Sequence, residues 1–269
     1  MENFSTFVKS NDGTSIALTK IGSGPVLILI DGALCHRNFG PNKALAELLK
    51  SKFTVITYDR RGRGESGDTQ PYTIQKEIED LDAIIQHVGH PVDVYGISSG
   101  AALALEAANA GLPINKVAVY EAPFIVDDTR KPVPNDYFDN LQSFDQRGQK
   151  GKVVSYFMQK GIGLPGFVVF MMKCMPVWKK MKGIAHTILY DTSILGDKLF
   201  GKPLSKRHWS GINSKVLVIA GSKSPLWTQN AMKQLSSVLS DAQHKSLKGQ
   251  NHMVKPESLS PMLVNFFTS

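Results

Sequence analysis

Apolar and polar residues follow two alternating rhythms along this chain. Val26-Leu27-Ile28-Leu29-Ile30 is an unbroken apolar run, the pattern of a strand buried on both faces. Lys43 to Lys50 then sets Leu45, Leu48 and Leu49 on one side of a predicted helix, and Phe53 to Tyr58 is the next strand. Ile78, Leu81, Ile84, Ile85 and Val88 recur at helical spacing within Ile74 to Val88. Val92 to Tyr95 predicts a short strand, Ala101 to Ala110 an alanine-rich helix, and Val117 to Tyr120 another strand. Far downstream the strand pattern returns at Val216 to Ala220 and around His244 to Leu247, with helical spacing at Asn230 to Leu239 between them. Strands alternating with helices predict an α/β fold, a mostly parallel central sheet with helices on both faces and right-handed crossovers.

The middle of the chain breaks this rhythm. From about Thr129 to His208 no buried-strand run occurs, so residues 129–208 are expected to form an inserted helical cap. The core would then comprise residues 1–128 and 209–269. The insertion holds Met158, Met171, Met172, Met175 and Met181, five of nine methionines, besides Phe157, Phe167, Phe170 and Trp178. Such side chains suit an adaptable apolar cover for a ligand, or else simply pack the insertion onto the core.

Composition narrows the class. A chain of 269 residues, 42% hydrophobic and 20% charged, is long enough for one large domain with an insertion and is neither disordered nor collagen-like. Its two cysteines, Cys35 and Cys174, form no CxxC pair, which predicts no disulfide framework or structural zinc and fits a reducing compartment. The longest apolar stretches, Pro25 to Ile30 and Gly161 to Met172, fall short of the roughly 20 residues that cross a bilayer. Met1-Glu2-Asn3 opens a polar stretch without a basic or apolar leader segment, so a cytoplasmic protein without stable membrane insertion is expected. Net charge is +8, and Lys173 to Arg207 carries eight lysines and arginines against two aspartates. That patch would attract nucleic acid, an anionic surface or an acidic substrate. No nucleic-acid-binding motif accompanies it, so a solvated lysine face is expected and nucleic acid is not.

Candidate chemistry centres on Gly96-Ile97-Ser98-Ser99-Gly100, a G-x-S-x-G sequence between a predicted strand and a predicted helix. A sharp strand-to-helix turn of small residues lifts a serine hydroxyl clear of the sheet, at a helix N-terminus that favours developing negative charge. Ser98 is therefore a candidate nucleophile; the structural alternative is a serine that caps the following helix.

With this motif the sequence resembles the α/β-hydrolase superfamily nearly end to end outside the insertion. Asp31-Gly32-Ala33 stands where the superfamily usually has His-Gly-x. Tyr58-Asp59-Arg60-Arg61-Gly62-Arg63-Gly64-Glu65-Ser66 is similar to its D-x-R-G-x-G-x-S loop, and Gly249-Gln250-Asn251-His252 resembles the loop that carries its catalytic histidine. The resemblance implies Ser98 as nucleophile, His252 as base and then acid, and backbone N–H groups of Ala33 and Ser99 as the oxyanion hole. His36, beside the oxyanion loop, is the second candidate base; His87, His90, His186, His208 and His244 fit less well. The triad acid usually follows the penultimate strand, yet Gly221-Ser222-Lys223-Ser224 places Ser224 there. Some members take the acid from the end of the preceding strand, where Glu121 stands, with Asp127 and Asp128 further on. Glu121 is favoured, because the carboxyl ends of strands face the ligand crevice of α/β sheets.

Of two G-x-G-x-x-G matches, Gly62 to Gly67 follows a predicted strand but opens no helix, and Gly161 to Gly166 lies in the insertion with no strand before it, so neither has the context of a dinucleotide site. No metal or organic cofactor is implied. The expected function is hydrolysis at a carbonyl of a small hydrophobic or amphipathic substrate, most simply a carboxylic ester, through an acyl-enzyme. Cleavage of a C–C bond or acyl transfer is possible on the same frame. A non-catalytic ligand-binding protein and a basic surface-binding module are the alternatives outside it.

Overall fold

Each buried run of the sequence forms a strand in the computed structural model, which describes residues 6–89 and 91–269. The opening Met1-Glu2-Asn3 and His90 lie outside the described residues. The strands are β1 (Thr6–Lys9), β2 (Ser15–Ile21), β3 (Val26–Ile30), β4 (Thr54–Tyr58), β5 (Val92–Ile97), β6 (Ile114–Tyr120), β7 (Lys215–Gly221) and β8 (Ala242–Leu247). They build one sheet in the order β1-β2-β4-β3-β5-β6-β7-β8. Pairs β1–β2 and β2–β4 are antiparallel and all others parallel.

Alternation along the strands sends successive side chains to opposite faces. Ile28, Ile30, Val94, Val117, Val119, Val216 and Val218 pack on one face, with α2 (Ile74–Val88), α3 (Ser99–Asn109) and α9 (Leu226–Val238). Leu27, Leu29, Tyr95, Ile97, Ala118, Tyr120, Leu217 and Ile219 pack on the other, with α1 (Asn42–Leu49) and α10 (Pro256–Thr268). Both faces are covered, which is why the central strands read as continuous apolar runs. The α3 sequence is rich in alanine, and Ala101, Ala102, Ala104, Ala107 and Ala108 are all buried against the sheet and neighbouring helices.

Between β6 and β7 the chain forms helices only: α4 (Tyr137–Gln146), α5 (Lys150–Tyr156), a π-turn at Phe157–Ile162, α6 (Gly166–Lys173), α7 (Val177–Gly183), α8 (Thr187–Leu195) and a short 3₁₀ turn. Its methionines divide. Met158 and Met181 are buried and Met172 packs partly, whereas Met171 and Met175 are exposed with Phe167 and Phe170. Helix α8 is the piece that reaches the core, packing on α2, α3 and α4.

The structure extends several expected elements. Helix α3 begins at Ser99 rather than Ala101, α9 at Leu226 rather than Asn230, and β8 at Ala242 rather than His244. The hairpin β1–β2 and helix α10 were not expected at all.

Candidate active site

Strand β5 runs straight into α3 through Ser98, whose backbone sits at φ 58°, ψ −127°. The glycines on either side make that turn feasible. A Cβ at Gly96 would lie 2.3 Å from the Gly100 carbonyl oxygen, and one at Gly100 would lie 2.5 Å from that of Ile30. Ser98 occupies the N-cap position of α3, yet its hydroxyl makes no capping bond. Its N–H donates to the Tyr120 carbonyl at 2.9 Å, which ties the turn to the end of β6.

The residue after Tyr120 is Glu121, also at positive φ (48°) and with a fully buried carboxylate. Glu121 Oε2 lies 2.9 Å from His252 Nδ1. Its Oε1 accepts the Gly221 N–H at 2.7 Å and the Ser224 hydroxyl in a short hydrogen bond. Ser224, standing where an acid is usual, thus donates to a carboxylate supplied from the neighbouring strand. The His252 loop is held from two sides: the Tyr120 hydroxyl donates to the Asn251 carbonyl at 2.7 Å and the Lys223 N–H to that of Gln250 at 2.8 Å. The imidazole itself is half exposed. Its Nε2 and the Ser98 hydroxyl do not hydrogen-bond in this structure; such bonds are commonly long until substrate is bound.

The remaining candidates are engaged elsewhere. Asp127 accepts from Thr129 in a local turn and from Asn230 of α9, and makes no hydrogen bond to His252. Asp128 is exposed. His186 pairs with Asp68 at 3.2 Å and His208 with Glu106 at 2.9 Å, while His36 lies 4.0 Å from Asp59. His87 is in the last turn of α2, and His244 is on β8.

The loop after β3 brings Gly32 against the nucleophile turn, since a Cβ there would lie 2.9 Å from Ser98 Cβ. The next residues are Ala33 and Leu34, the latter at φ 58°. Leu34, Ser98 and Glu121 are the only non-glycine residues at positive φ among the described residues, and all three lie in this one region. Each such residue costs on the order of 1–3 kcal/mol, and strain of this kind concentrates at functional sites. Ser99 begins α3, so its N–H belongs to the first turn, where helical N–H groups have no partner within the helix. Asp31, in place of the usual histidine, is buried and one of its carboxylate oxygens has no hydrogen-bond partner. Burial pushes its pKa up to about 7, against the pull of Asn42 N–H and the Arg63 and Arg60 guanidiniums.

One group escaped the sequence altogether. Arg60 and Arg63 converge on Asp191 of α8, directly behind Ser99, and all four residues are buried. Among the described residues, no three His, Cys, Asp or Glu side chains come together as a metal site, and no helix is long and apolar enough to cross a membrane.

A hydroxyl on a strained strand-to-helix turn, an imidazole fixed by a buried carboxylate, and free N–H groups beside the hydroxyl are the parts of nucleophilic acyl chemistry. Known proteins share this frame. An α/β hydrolase from Sphaerobacter thermophilus DSM 20745 is 44% identical, covers 97% of this chain and 100% of its own, and superposes with a TM-score of 0.90. An esterase from Exiguobacterium antarcticum (99% and 100% covered) and an enol-lactonase from Burkholderia xenovorans LB400 (98% and 100%) are each 18% identical with TM-scores of 0.70, a likeness of fold alone. The uncharacterized hydrolase YraK of Bacillus subtilis (strain 168) is 30% identical over 98 residues, a match spanning only 35% of either chain. The α/β hydrolase family model matches residues 30–256, from the end of β3 past His252 to the start of α10, and the chain belongs to that family.

Proposed function

We propose that this protein is a serine hydrolase acting on the carbonyl of a small hydrophobic or amphipathic substrate, most simply a carboxylic ester. The contact between His252 Nδ1 and the buried Glu121 carboxylate, at 2.9 Å, carries this reading. An imidazole with Nδ1–H fixed on a carboxylate presents Nε2 as a base and is charge-stabilised once protonated.

Ser98 Oγ attacks the carbonyl carbon and its proton passes to His252 Nε2. The N–H groups of Ala33 and Ser99 hold the developing oxyanion. Collapse breaks the ester C–O bond, and the departing alcohol takes the proton from His252. Water then attacks the acyl-enzyme with His252 again as base, which releases the carboxylic acid and restores Ser98. Ser224 and the Gly221 N–H hold the Glu121 carboxylate aimed at the ring. Residues 129–208 serve as the cap over a core of residues 1–128 and 209–269. The exposed apolar side chains of Met253, next to His252, and Leu226, two residues past Ser224, favour an apolar substrate over a charged one.

The test is release of 4-nitrophenol from short- and medium-chain esters beside Ser98→Ala. Turnover should fall at least about a thousandfold in the variant. Equal turnover in both proteins would remove Ser98 from the chemistry, and no turnover in either would favour a ligand-binding protein.

A further inference from the structure

Buried arginines are expensive unless every one is paired, so a cluster of two needs an explanation. Arg60 makes a bidentate pair with Glu77 of α2, both bonds 2.7 Å, and sends its third nitrogen to Asp191 Oδ1 at 2.8 Å. Arg63 Nη2 meets both oxygens of Asp191, at 2.9 and 2.8 Å. Two guanidiniums are thus balanced by two carboxylates, and one of those carboxylates comes from α8 in the cap. The two arginines hold the Asp191 carboxyl below its ordinary pKa despite its burial, so it is charged.

What the cluster grips is specific. Ser99 Oγ donates to Asp191 Oδ1 at 2.7 Å. Arg63 Nη1 donates to the Gly32 carbonyl at 2.7 Å. The Gly32 carbonyl and the Ala33 N–H belong to one planar trans peptide, so fixing the oxygen fixes the direction of the hydrogen. A cation on the carbonyl side also polarises that peptide and strengthens its N–H as a donor. The two residues whose N–H groups were assigned to the oxyanion are therefore both held by one carboxylate: Ser99 directly, and Ala33 through Arg63.

We propose that Asp191, with Arg63, is a positioning device for both halves of the oxyanion hole, so that a productive hole depends on cap helix α8 being docked. The proposal rests on the serine-hydrolase reading for its kinetic consequence, but its structural consequence stands apart from it. Without the Asp191 charge, Arg63 loses the ion pair that fixes its guanidinium and is held near the Gly32–Ala33 peptide only by its bonds to the Gly32 and Cys35 carbonyls. That peptide then rotates more freely and the first turn of α3 loses its side-chain anchor.

Two variants and two readouts test this. Ser99→Ala removes one hydroxyl, leaves the arginine–aspartate pairs intact and places a good helix former in the first turn, so it should fold normally. Asp191→Asn discharges the device and should be the less stable of the two. Ester turnover in Ser99→Ala is expected to keep its KM while kcat falls about tenfold or more, a smaller loss than deleting an oxyanion donor outright. Hydrogen–deuterium exchange, which needs no activity, is expected to speed up in Asp191→Asn for segments 31–36 and 97–103, with β7 and α10 unchanged. Wild-type exchange in those two segments of Asp191→Asn would overturn the proposal, as would an unaltered kcat in Ser99→Ala. Faster exchange there in a protein that hydrolyses no ester would keep the positioning role and reject the hydrolase reading. Uniformly faster exchange throughout the cap with unaltered kcat would mean that the cluster only holds the fold together.

Discussion

Glu121 shows how little one side chain needs in order to change partners. A carboxylate displaced from the usual loop to the end of β6 still reaches Nδ1 of His252, because β6 and β7 are neighbours and the two loops meet above them. Ser224, at the position where an acid is usual, donates its hydroxyl to that carboxylate. Glu121→Gln keeps the shape but removes the charge that supports a protonated imidazole, so kcat should fall by about 10³- to 10⁴-fold with the fold retained; a loss under tenfold would put the acid elsewhere. Asp31 offers a second prediction, on stability. Its pKa is about 7 in the folded protein, raised by burial, against roughly 3.9 in the unfolded chain. Between those values the folded state binds a proton that the unfolded state does not, so stability is full below about pH 4 and falls as pH rises through 7. Asp31→Asn should flatten that fall, seen as a smaller drop in melting temperature between pH 5 and pH 8 than in wild type. An equal drop would mean that Asp31 is not the titrating group.

At the scale of elements, the central strands buried on both faces were legible, β8 was read only from His244, and β1, β2 and α10 were missed. Strands β3, β5 and β7 announce themselves as apolar runs. In β1 only Val8 is buried, and β8 is a largely exposed edge reading Ala-Gln-His-Lys-Ser-Leu, with a lysine that discourages further pairing. Helix α10 carries Pro261 inside it, which in sequence looks like an interruption. Yet α10 closes one face of the sheet through Leu259, Leu263, Phe266 and Phe267. Leu263→Ala should therefore cost about 2–5 kcal/mol in urea unfolding while leaving the kcat of the folded protein alone. A cost below about 1 kcal/mol would show that α10 contributes little to that face. The site divides in the same way. As candidates, Ser98 was marked by its context of strand, turn and helix, and His252 by a glycine-containing loop after the last predicted strand. Glu121 was favoured over Asp127 and Asp128 by its place at the carboxyl end of β6, and in the structure it is the one of these that contacts His252. Asp191 had no local signal at all, since its partners Ser99, Arg60 and Arg63 lie 92, 131 and 128 residues away in sequence.

Over the whole molecule, charge is arranged in two layers. Most cations of the segment from Lys173 to Arg207 are exposed, among them Lys179, Lys180, Lys202 and Lys206. Asp191, one of its two acids, is buried against Arg60 and Arg63 and so contributes nothing to that surface. The interior is the more organised layer: its ion pairs join the loop after β4 to α2 and α8 around the end of the sheet where β5 and β6 deliver Ser98 and Glu121. In the proposed mechanism Ser98 is a nucleophile activated by His252. The most direct measurement is intact-mass and peptide mapping after incubation with a fluorophosphonate, in wild type and in His252→Ala. One phosphonyl group on Ser98 in wild type, formed at least about a hundredfold more slowly in the variant, is the predicted result. Labelling at another residue, or at an equal rate without His252, would contradict it.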